Sequence, residues 1–322
     1  METLTFIELA KILISFAVCA PSGHNSQPWK YQISENQIII EPDFSKHLPV
    51  VDSTDRELFI SLGCALENMQ IAANHYGYSS DYTFDGEKIV VTFSGKGNCA
   101  EDTLFASIKN RHTYRGQFSG ERISPEKLNF AENQEDVTTA IFHSESAEAQ
   151  TLSRLIYEGN IIQMSDTAFK NELTQWMRFN KRHVAQTRNG LCYNVLGFPA
   201  TPKIFGRRII KMFLKPKSQN KTDMAVNSSA SAYCLFSAKE NTAANWIKVG
   251  KALERFLLNV TASGLAYSFS NQPCEVPELA EQLRSELSVN SYPSVLLRLG
   301  YGRKQAKHFA PREEPEVVII EN

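Results

Sequence analysis

The sequence predicts an α+β protein of two related halves, each a small antiparallel sheet packed with helices. Short strand-like runs come in pairs separated by turn residues, as in residues 82–84 and 89–93, which flank Asp85-Gly86. Two longer segments, residues 58–72 and 243–262, instead carry broad apolar stripes at helical spacing. Strand pairs that alternate with long helices are typical of antiparallel sheets covered by helices.

The two long helical segments share a pattern that predicts an internal duplication. The first contains Gly-Cys-Ala-Leu-Glu from residue 63, and the second contains Gly-Lys-Ala-Leu-Glu from residue 250, an offset of 187 residues. Gly77 and Gly264, which end the two segments, are separated by the same distance. This equal spacing predicts two related units, residues 1–103 and 104–322, that each contribute one central helix.

The remaining elements follow from hydrophobic periodicity and turn residues. The first helix begins near Phe6 and ends before Pro21, because the residue preceding a proline avoids the helical region. Helices are predicted at residues 6–17, 58–76, 104–109, 147–182 with a break near Gly159, 243–262 and 277–287. Strands are predicted at residues 31–33, 37–40, 82–84, 89–93, 139–142, 232–236 and 294–299, followed by a polar tail. Residues 265–269 are predicted as a strand or an extended loop.

Composition excludes several classes of function. The 34 basic and 35 acidic residues nearly cancel, so the chain as a whole has no basic surplus for nucleic acid. The six cysteines and seven histidines show no metal-ligand spacing, so neither a metal site nor a disulfide framework is predicted. The apolar residues 12–20 follow two acids, Glu2 and Glu8, and one cation, Lys11, where a signal peptide would carry a positive region, and they are too few to span a bilayer. We expect a cytoplasmic protein, monomeric or homodimeric.

Residues 20–29, Ala-Pro-Ser-Gly-His-Asn-Ser-Gln-Pro-Trp, predict a binding loop. Ser22 and Asn25 offer hydroxyl and amide groups, while Gly23 lets the backbone approach a ligand closely. Such a loop suits a planar ligand that forms hydrogen bonds. The alternative is an ordinary turn between a helix and a strand.

Residues 111–118, Arg-His-Thr-Tyr-Arg-Gly-Gln-Phe, form a second candidate segment. Arginine suits phosphate because its planar fork pairs with two phosphate oxygens. The alternative is a basic turn at the end of a helix. The chain contains no nucleophile elbow, P-loop or G-x-G-x-x-G motif, so no catalytic side chain is predicted.

Together these segments resemble the nitroreductase family, FMN enzymes that reduce nitro compounds and quinones with NAD(P)H. Residues 20–29 resemble the family's flavin-contacting loop, and residues 111–118 resemble its Arg-x-Ser-x-Arg/Lys-x-x-Phe signature. Residues 252–269 resemble its long helix and following strand, and residues 299–302 with Arg312 resemble its closing segment. The resemblance covers nearly the whole chain.

The resemblance implies FMN as the cofactor and assigns roles to individual residues. Arg111 and Arg312 would bind the phosphate, Thr113 would offer a hydrogen-bonding hydroxyl, and Arg115 would place a cation beside N1 and C2 of the flavin. The implied cofactor-binding residues are Pro21, Ser22, Gly23, Asn25, Gln27, Arg111, His112, Thr113, Arg115, Ser270, Asn271 and Arg312.

Four residues remain open at this stage. Arg303 or Lys304 could bind the phosphate instead of Arg312. His24 lies inside the loop and could contact a substrate or form a structural hydrogen bond. Arg56 is a lesser candidate for a flavin contact, with an ion pair to Asp55 as the alternative.

The order of the motifs departs from that of ordinary nitroreductases, in which the arginine signature precedes the loop in one chain. Here the loop lies in the first half and the arginines lie in the second, so one chain would imitate the usual dimer and build one FMN site. This layout is similar to the internally duplicated branch related to mycobacterial Acg. Residues 186–228, rich in Gly, Pro, Asn and Lys, predict a lid. Within it, residues 206–217 could be a membrane-surface helix, a solvated helix or a flap.

The resemblance implies an oxidoreductase that passes two electrons from NAD(P)H through FMN to a nitroaromatic, quinone or similar acceptor by a ping-pong cycle. No dinucleotide fingerprint is present, so NAD(P)H would be a transient substrate. The competing interpretation is a flavin-binding or flavin-sequestering protein with a lidded FMN and little or no turnover.

Overall fold

The computed structural model describes residues 5–96, 103–131, 133–303 and 309–320 of the chain. It confirms the predicted α+β class. The helices are α1 Phe6–Ala17, α2 Arg56–His75, α3 Phe105–Ile108, α4 Ala147–Ser165, α5 Thr167–Trp176, α6 Lys181–Thr187, α7 Lys203–Phe213, α8 Pro216–Asn227, α9 Ala243–Ala262, α10 Gln272–Glu275 and α11 Pro277–Glu286. The strands are β1 Trp29–Ile33, β2 Gln37–Pro42, β3 Tyr78–Phe84, β4 Ile89–Lys96, β5 Val137–His143, β6 Met177–Arg178, β7 Leu191–Cys192, β8 Ala232–Ala238, β9 Ala266–Phe269, β10 Tyr292–Gly300 and β11 Val317–Ile319.

Two sheets carry most of the strands. The first has the order β11-β1-β2-β4-β3 and the second has the order β5-β8-β10-β9. Neighbours are antiparallel except for β11, which pairs in parallel with β1 so that Val317 lies opposite Tyr31. The prediction of a polar tail after residue 300 was therefore wrong at β11. Three residues are too few to show a strand period, but their pairing returns the end of the described chain to the first sheet.

Helices α2 and α9 cross at the centre of the protein, with α2 packed on the first sheet and α9 on the second. A glycine from each helix lies at the crossing. A Cβ placed on Gly63 would lie 2.1 Å from the carbonyl oxygen of Ile247, and one on Gly250 would lie 2.1 Å from that of Ile60. The two backbones therefore approach too closely for any side chain, which explains why both positions hold glycine.

The predicted helix over residues 147–182 was wrong in where it breaks. Helix α4 continues through Gly159, and the chain turns at Asp166, whose side chain accepts a hydrogen bond from the Ala168 amide at 2.7 Å and caps α5. Gly159 serves packing instead, since a Cβ there would lie 2.5 Å from the Cβ of Gln272. Beyond Trp176 the predicted helix gives way to the short strand β6.

The segment predicted as irregular, residues 186–228, contains two helices, α7 and α8. Helix α8 packs against α4 and is tied to β10 by the buried ion pair between Asp223 and Arg298, at 3.0 Å. The sequence signal for this helix was Pro216 at its first position. Part of the predicted lid is therefore firmly attached to the second sheet.

Within the described ranges, no helix has both the length and the apolar character needed to cross a membrane. The same residues contain no group of three side chains suited to holding a metal ion. Five cysteines are free thiols in this part of the chain, whereas Cys99 lies outside it.

Candidate functional site

A cleft of about 320 Å³ lies where segments from both ends of the chain meet. This volume suits a small ligand or cofactor. Its walls come from the loop 21–25, α2, residues 111–115, residues 190–196, residues 269–275 and residues 309–312. Segments far apart in sequence thus converge on one space.

Ten of the twelve residues predicted to bind a cofactor line this cleft, namely Pro21, Ser22, Gly23, Asn25, Arg111, His112, Thr113, Arg115, Asn271 and Arg312. The other two, Gln27 and Ser270, are buried outside the lining. Gln27 donates to the carbonyl of Arg188 at 3.1 Å and accepts from the amide of Glu313 at 2.9 Å. The amide of Ser270 donates to the carbonyl of Leu296 at 2.8 Å. These two residues support the walls.

The loop after α1 holds an unusual backbone conformation. His24, Asn25 and Gln27 have φ angles of 50°, 56° and 58°, in the left-handed region that residues other than glycine seldom adopt. The hydroxyl of Ser22 accepts from the amide of Gln27 at 3.0 Å and closes the turn. Backbone conformations of this kind occur preferentially where a loop presents groups to a ligand.

Burial, together with the positive charge of Arg115, lowers the pKa of His24 to about 4. The imidazole is therefore neutral at physiological pH. Its Nε2 atom is buried without a hydrogen-bond partner among the described residues. A buried polar atom of this kind can accept a group from a ligand.

Asn25 joins three separate parts of the chain. Its amide nitrogen donates to the carbonyls of Gly190 and Pro311, and its oxygen accepts from Nη1 of Arg312 at 2.8 Å. Arg312 also donates through Nη2 to the carbonyls of Cys19 and Ala20, at 3.0 and 3.1 Å. The two predicted site residues Asn25 and Arg312 thus hold each other in place.

Of the two alternatives to Arg312, Arg303 is described by the structure and lies outside the cleft lining. Arg303 donates through Nε to the carbonyl of Phe118 at 2.7 Å and through Nη1 to the side chain of Gln117. Neither of these contacts involves the cleft lining. Lys304 lies outside the described residues. Arg56, the lesser candidate, donates to the carbonyl of Cys274 at 2.7 Å, and Asp55 lies 3.5 Å from Nδ1 of His47.

Arg111 is a buried guanidinium with several partners. Its Nε lies 3.2 Å from Oε1 of Glu254, its Nη2 donates to the carbonyl of Cys19 at 2.8 Å, and its Nη1 donates to the hydroxyl of Tyr267. Burial raises the pKa of Glu254 to about 7, although the charge of Arg111 opposes this shift. These bonds fix Arg111 at the base of the cleft.

Arg115 contrasts with Arg111, because no hydrogen bond or ion pair joins it to any other described residue. It lines the cleft and is exposed to it. Burial and the charge of Arg111 lower the pKa of Arg312 to about 10, so that all three guanidinium groups remain charged at neutral pH. We call Arg111, Arg115 and Arg312 the cationic cluster.

Two carboxyl groups, which the sequence did not single out, line another part of the cleft. Glu57, in the first turn of α2, accepts from the amide of Asn271 at 3.1 Å, and Glu275, in α10, accepts from the amide of Gln163. The two acids share a hydrogen bond. Burial first, and then the charge of Glu275, raise the pKa of Glu57 to about 8. We call Glu57 and Glu275 the carboxyl cluster.

The predicted lid reaches the cleft through residues 190–196. Leu191, Cys192, Val195 and Leu196 all line it. These apolar side chains restrict access to the polar walls. Their sequence context, between Gly190 and Gly197, gave no periodic signal that would have identified them.

Comparison with curated proteins finds full-length similarity. The protein Rv3131 of Mycobacterium tuberculosis carries the provisional name NAD(P)H nitroreductase. It is 23% identical to this chain over 319 residues, which span 96% of this chain and 90% of the relative. The nitroreductase PigM of a Serratia species is 24% identical over 198 residues, 56% of this chain and 55% of the relative. The mycobacterial protein acg is 28% identical over 71 residues, 22% of each chain.

No family model matches the chain. Among solved structures, the FMN-dependent nitroreductase NfnB of Mycobacterium smegmatis, in complex with NADPH, aligns at a TM-score of 0.42 with 16% identity over 66% of this chain and 94% of that one. A nitroreductase of Bacteroides fragilis with bound FMN aligns at 0.37 with 15% identity over 66% and 95%. The chain is therefore similar over nearly its whole length to a protein that carries the name NAD(P)H nitroreductase, and the motifs that resemble this family lie together at the cleft.

Proposed function

We propose that the protein is an FMN-dependent oxidoreductase that transfers two electrons from NAD(P)H to a nitroaromatic, quinone or similar acceptor by a ping-pong cycle. The observation that carries this proposal is the convergence of Asn25, Arg115 and Arg312 on one cleft. The names of the relatives, NAD(P)H nitroreductases, support the same activity. The cytoplasmic location and the two-unit division at residue 103 belong to this proposal, with one FMN per chain.

The residues present suit FMN. Arg115 has no protein partner among the described residues, and Nε of Arg312 is buried without one, so both have donors to spare for phosphate or a pyrimidine edge. A Cβ on Gly23 would lie 2.9 Å from Cδ1 of Leu48 and 3.1 Å from Oε2 of Glu57, so the glycine lets this loop pack closely beside the start of α2. Ser22, Thr113 and Asn271 add hydroxyl and amide groups to the lining.

Each part of the cleft then has a task. Bound FMN would accept electrons from NAD(P)H and pass them to the acceptor. Arg312 and Arg111 would hold the phosphate, and Arg115 would stabilise negative charge at the ring edge. The carboxyl cluster can hold a proton at neutral pH, since the pKa of Glu57 is raised to about 8. Leu191 and Val195 would limit the entry of water.

The test of turnover is anaerobic addition of NADPH to the purified protein while the flavin absorbance is followed. The proposal predicts bleaching within minutes and recovery of the colour when a quinone is added. A yellow protein that neither NADH nor NADPH bleaches would contradict the enzyme proposal and leave the cofactor proposal intact.

That second result would favour the alternative, a flavin-sequestering protein. The lining of the cleft by Val195 and Leu196 is the observation that supports it. The variant V195A/L196A distinguishes the two. It should raise reductase activity if these residues are a fixed cover, and lower it if they shape a substrate pocket.

A further inference from the structure

A segment that overlaps the predicted lid, residues 173–222, concentrates the protein's positive charge. Residues 173–222 hold 11 of the 34 basic residues and none of the 35 acidic ones. The remainder of the chain therefore has 23 basic and 35 acidic residues. The near-zero net charge of the whole chain conceals this asymmetry, which creates a local field that favours an anionic partner.

Helix α7 adds exposed apolar side chains to this charge. Ile204 and Phe205 are 73% and 60% exposed, and Phe198, in the preceding loop, is 43% exposed. Bulky apolar residues at such exposure are costly to leave in water on a helix that has other faces to bury. Their neighbours Arg207 and Arg208 are exposed cations without a carboxylate partner among the described residues.

The cations on α7 itself, Lys203, Arg207 and Arg208, form no ion pair with a described residue. His183, beside this helix, has its pKa lowered to about 4 by burial and then by the charges of Arg178, Lys203 and Arg207. Three like charges acting on one imidazole indicate a positive potential at this helix, although Arg178, which lies outside it, is also influenced by Glu313. An anionic surface would supply the missing counter-charge.

An apolar cavity of about 250 Å³ lies beneath the same helix. Gly206, Ile209 and Ile210 of α7 line it, together with Met177 and Phe179. Leu191 and Leu196 line both this cavity and the cleft. The helix therefore separates an apolar interior from solvent, a situation that suits contact with hydrocarbon and not with a nucleic acid.

We propose that α7 and the loop before it form a docking surface for a bilayer that carries anionic phospholipid headgroups. The two most exposed apolar side chains of the helix, Ile204 and Phe205, enter the boundary of the acyl chains, while Lys203, Arg207 and Arg208 contact the headgroups. This arrangement places the apolar cavity, and through it the cleft, beside the membrane. The inference goes beyond the proposed reaction and does not depend on FMN.

The test is flotation of the full-length protein with vesicles of phosphatidylcholine alone or of phosphatidylcholine with phosphatidylglycerol. We expect binding to the mixed vesicles, weaker binding to the neutral ones, and release as added salt shortens the screening length. The variant I204S/F205S should bind the mixed vesicles at least about tenfold more weakly because it loses the apolar contact. The variant R207E/R208E should lose at least as much, because each cation near an anionic surface contributes to attraction.

The matched control is I161S/I162S, which removes two adjacent exposed isoleucines from α4, at 40% and 45% exposure. It should bind as the unaltered protein does, and thermal unfolding checks that each variant is folded. Equal binding by I204S/F205S and the control would overturn the proposal. So would binding to a DNA duplex without binding to vesicles, or self-association through α7 that vesicles do not compete with.

Discussion

The cationic cluster and the carboxyl cluster line the same cleft but differ in how their charges are arranged. The three guanidinium groups remain ionised, and two of them, Arg111 and Arg312, act on the buried carboxyl of Glu254. Glu57 and Glu275 lie next to each other, and burial raises both pKa values; the charge of Glu275 raises the pKa of Glu57 further. One part of the cleft therefore attracts an anion, whereas the other repels it and retains a proton. This difference would fix the orientation of a bound anionic cofactor in the cleft.

The contrast between the two clusters depends first on the packing of α2 against α9, because α2 carries Glu57 and α9 carries Glu254. Gly250→Ala should therefore have the largest effect. Its Cβ would overlap the backbone of Ile60, so we expect the free energy of unfolding to fall by about 3 kcal/mol or more in urea titrations. Gly116→Ala is the control, since a Cβ there meets only ordinary contacts at 3.5 Å. Equal stability of the two variants would contradict the close crossing.

Arg111→Ala tests whether the buried member of the cationic cluster is also structural. Removing it leaves Glu254 buried without its cation, and such losses typically cost about 3 kcal/mol in unfolding free energy. The double variant R111A/E254Q should recover part of that loss, because the uncompensated acid is gone. If urea titration finds that the double variant is less stable than Arg111→Ala, Arg111 does not act through Glu254.

Arg115→Ala tests the exposed member of the same cluster. It has no partner in the described part of the chain, so unfolding should be unaffected. FMN affinity, measured by quenching of flavin fluorescence, should fall about 10- to 100-fold, as expected when a charge-assisted hydrogen bond of about 1.5–3 kcal/mol is lost. Arg122→Ala, at an exposed ion pair with Glu145, is the control.

Riboflavin sharpens the same experiment because it lacks the phosphate. If Arg115 contacts the ring edge, Arg115→Ala should weaken riboflavin and FMN alike. Arg312→Ala should weaken FMN alone if that residue binds the phosphate. If instead Arg115→Ala weakens FMN alone and Arg312→Ala weakens both ligands, the two residues have each other's role, and the binding site stays the same.

Glu57→Gln addresses the carboxyl cluster and should have the smallest effect. The pKa of Glu57 is raised in the folded protein, so the unfolded chain releases its proton first as pH rises. Stability from this group is complete below about pH 4.5 and is lost as pH rises toward about 8. We expect Glu57→Gln to remove this decrease in the free energy of unfolding between pH 4.5 and about 8. At pH 8 the variant should be about 1–2 kcal/mol more stable than the unaltered protein, with solvent screening limiting the gain.

Thermal unfolding between about pH 4 and 9, which covers the titration of this group, measures this difference. Glu278→Gln, an exposed acid in the first turn of α11, is the matched control. A pH profile unchanged by Glu57→Gln would mean that Glu57 is ionised in the folded protein, and the contrast between the clusters would be lost.

The sequence predicted the cationic cluster but not the carboxyl cluster, and the reason is physical. Arg111, Arg115 and Asn25 lie in short local motifs whose residue types indicate a ligand. Glu57 looks like any acid in the first turn of a helix, and its pairing with Glu275 exists only after α2 and α10 meet. Single-sequence reasoning has no access to such tertiary pairs.

The fold shows the same division. Long elements such as α2 and α9 were predicted because their apolar residues recur in the sequence at helical spacing. The break at Asp166 was misassigned to Gly159, since a glycine required for close packing looks the same in sequence as one that ends a helix. Strand β11 was missed because its stability comes from pairing with β1.

The central claim is that one flavin occupies this cleft per chain. Its most direct test is the absorbance spectrum of the purified protein, or of the protein after incubation with FMN and removal of the unbound cofactor, with flavin and protein quantified separately. The account predicts a flavin band at a ratio near one FMN per chain, which the double variant R115A/R312A loses while remaining folded. A colourless protein that takes up no FMN, or a double variant that retains the full ratio, would contradict it.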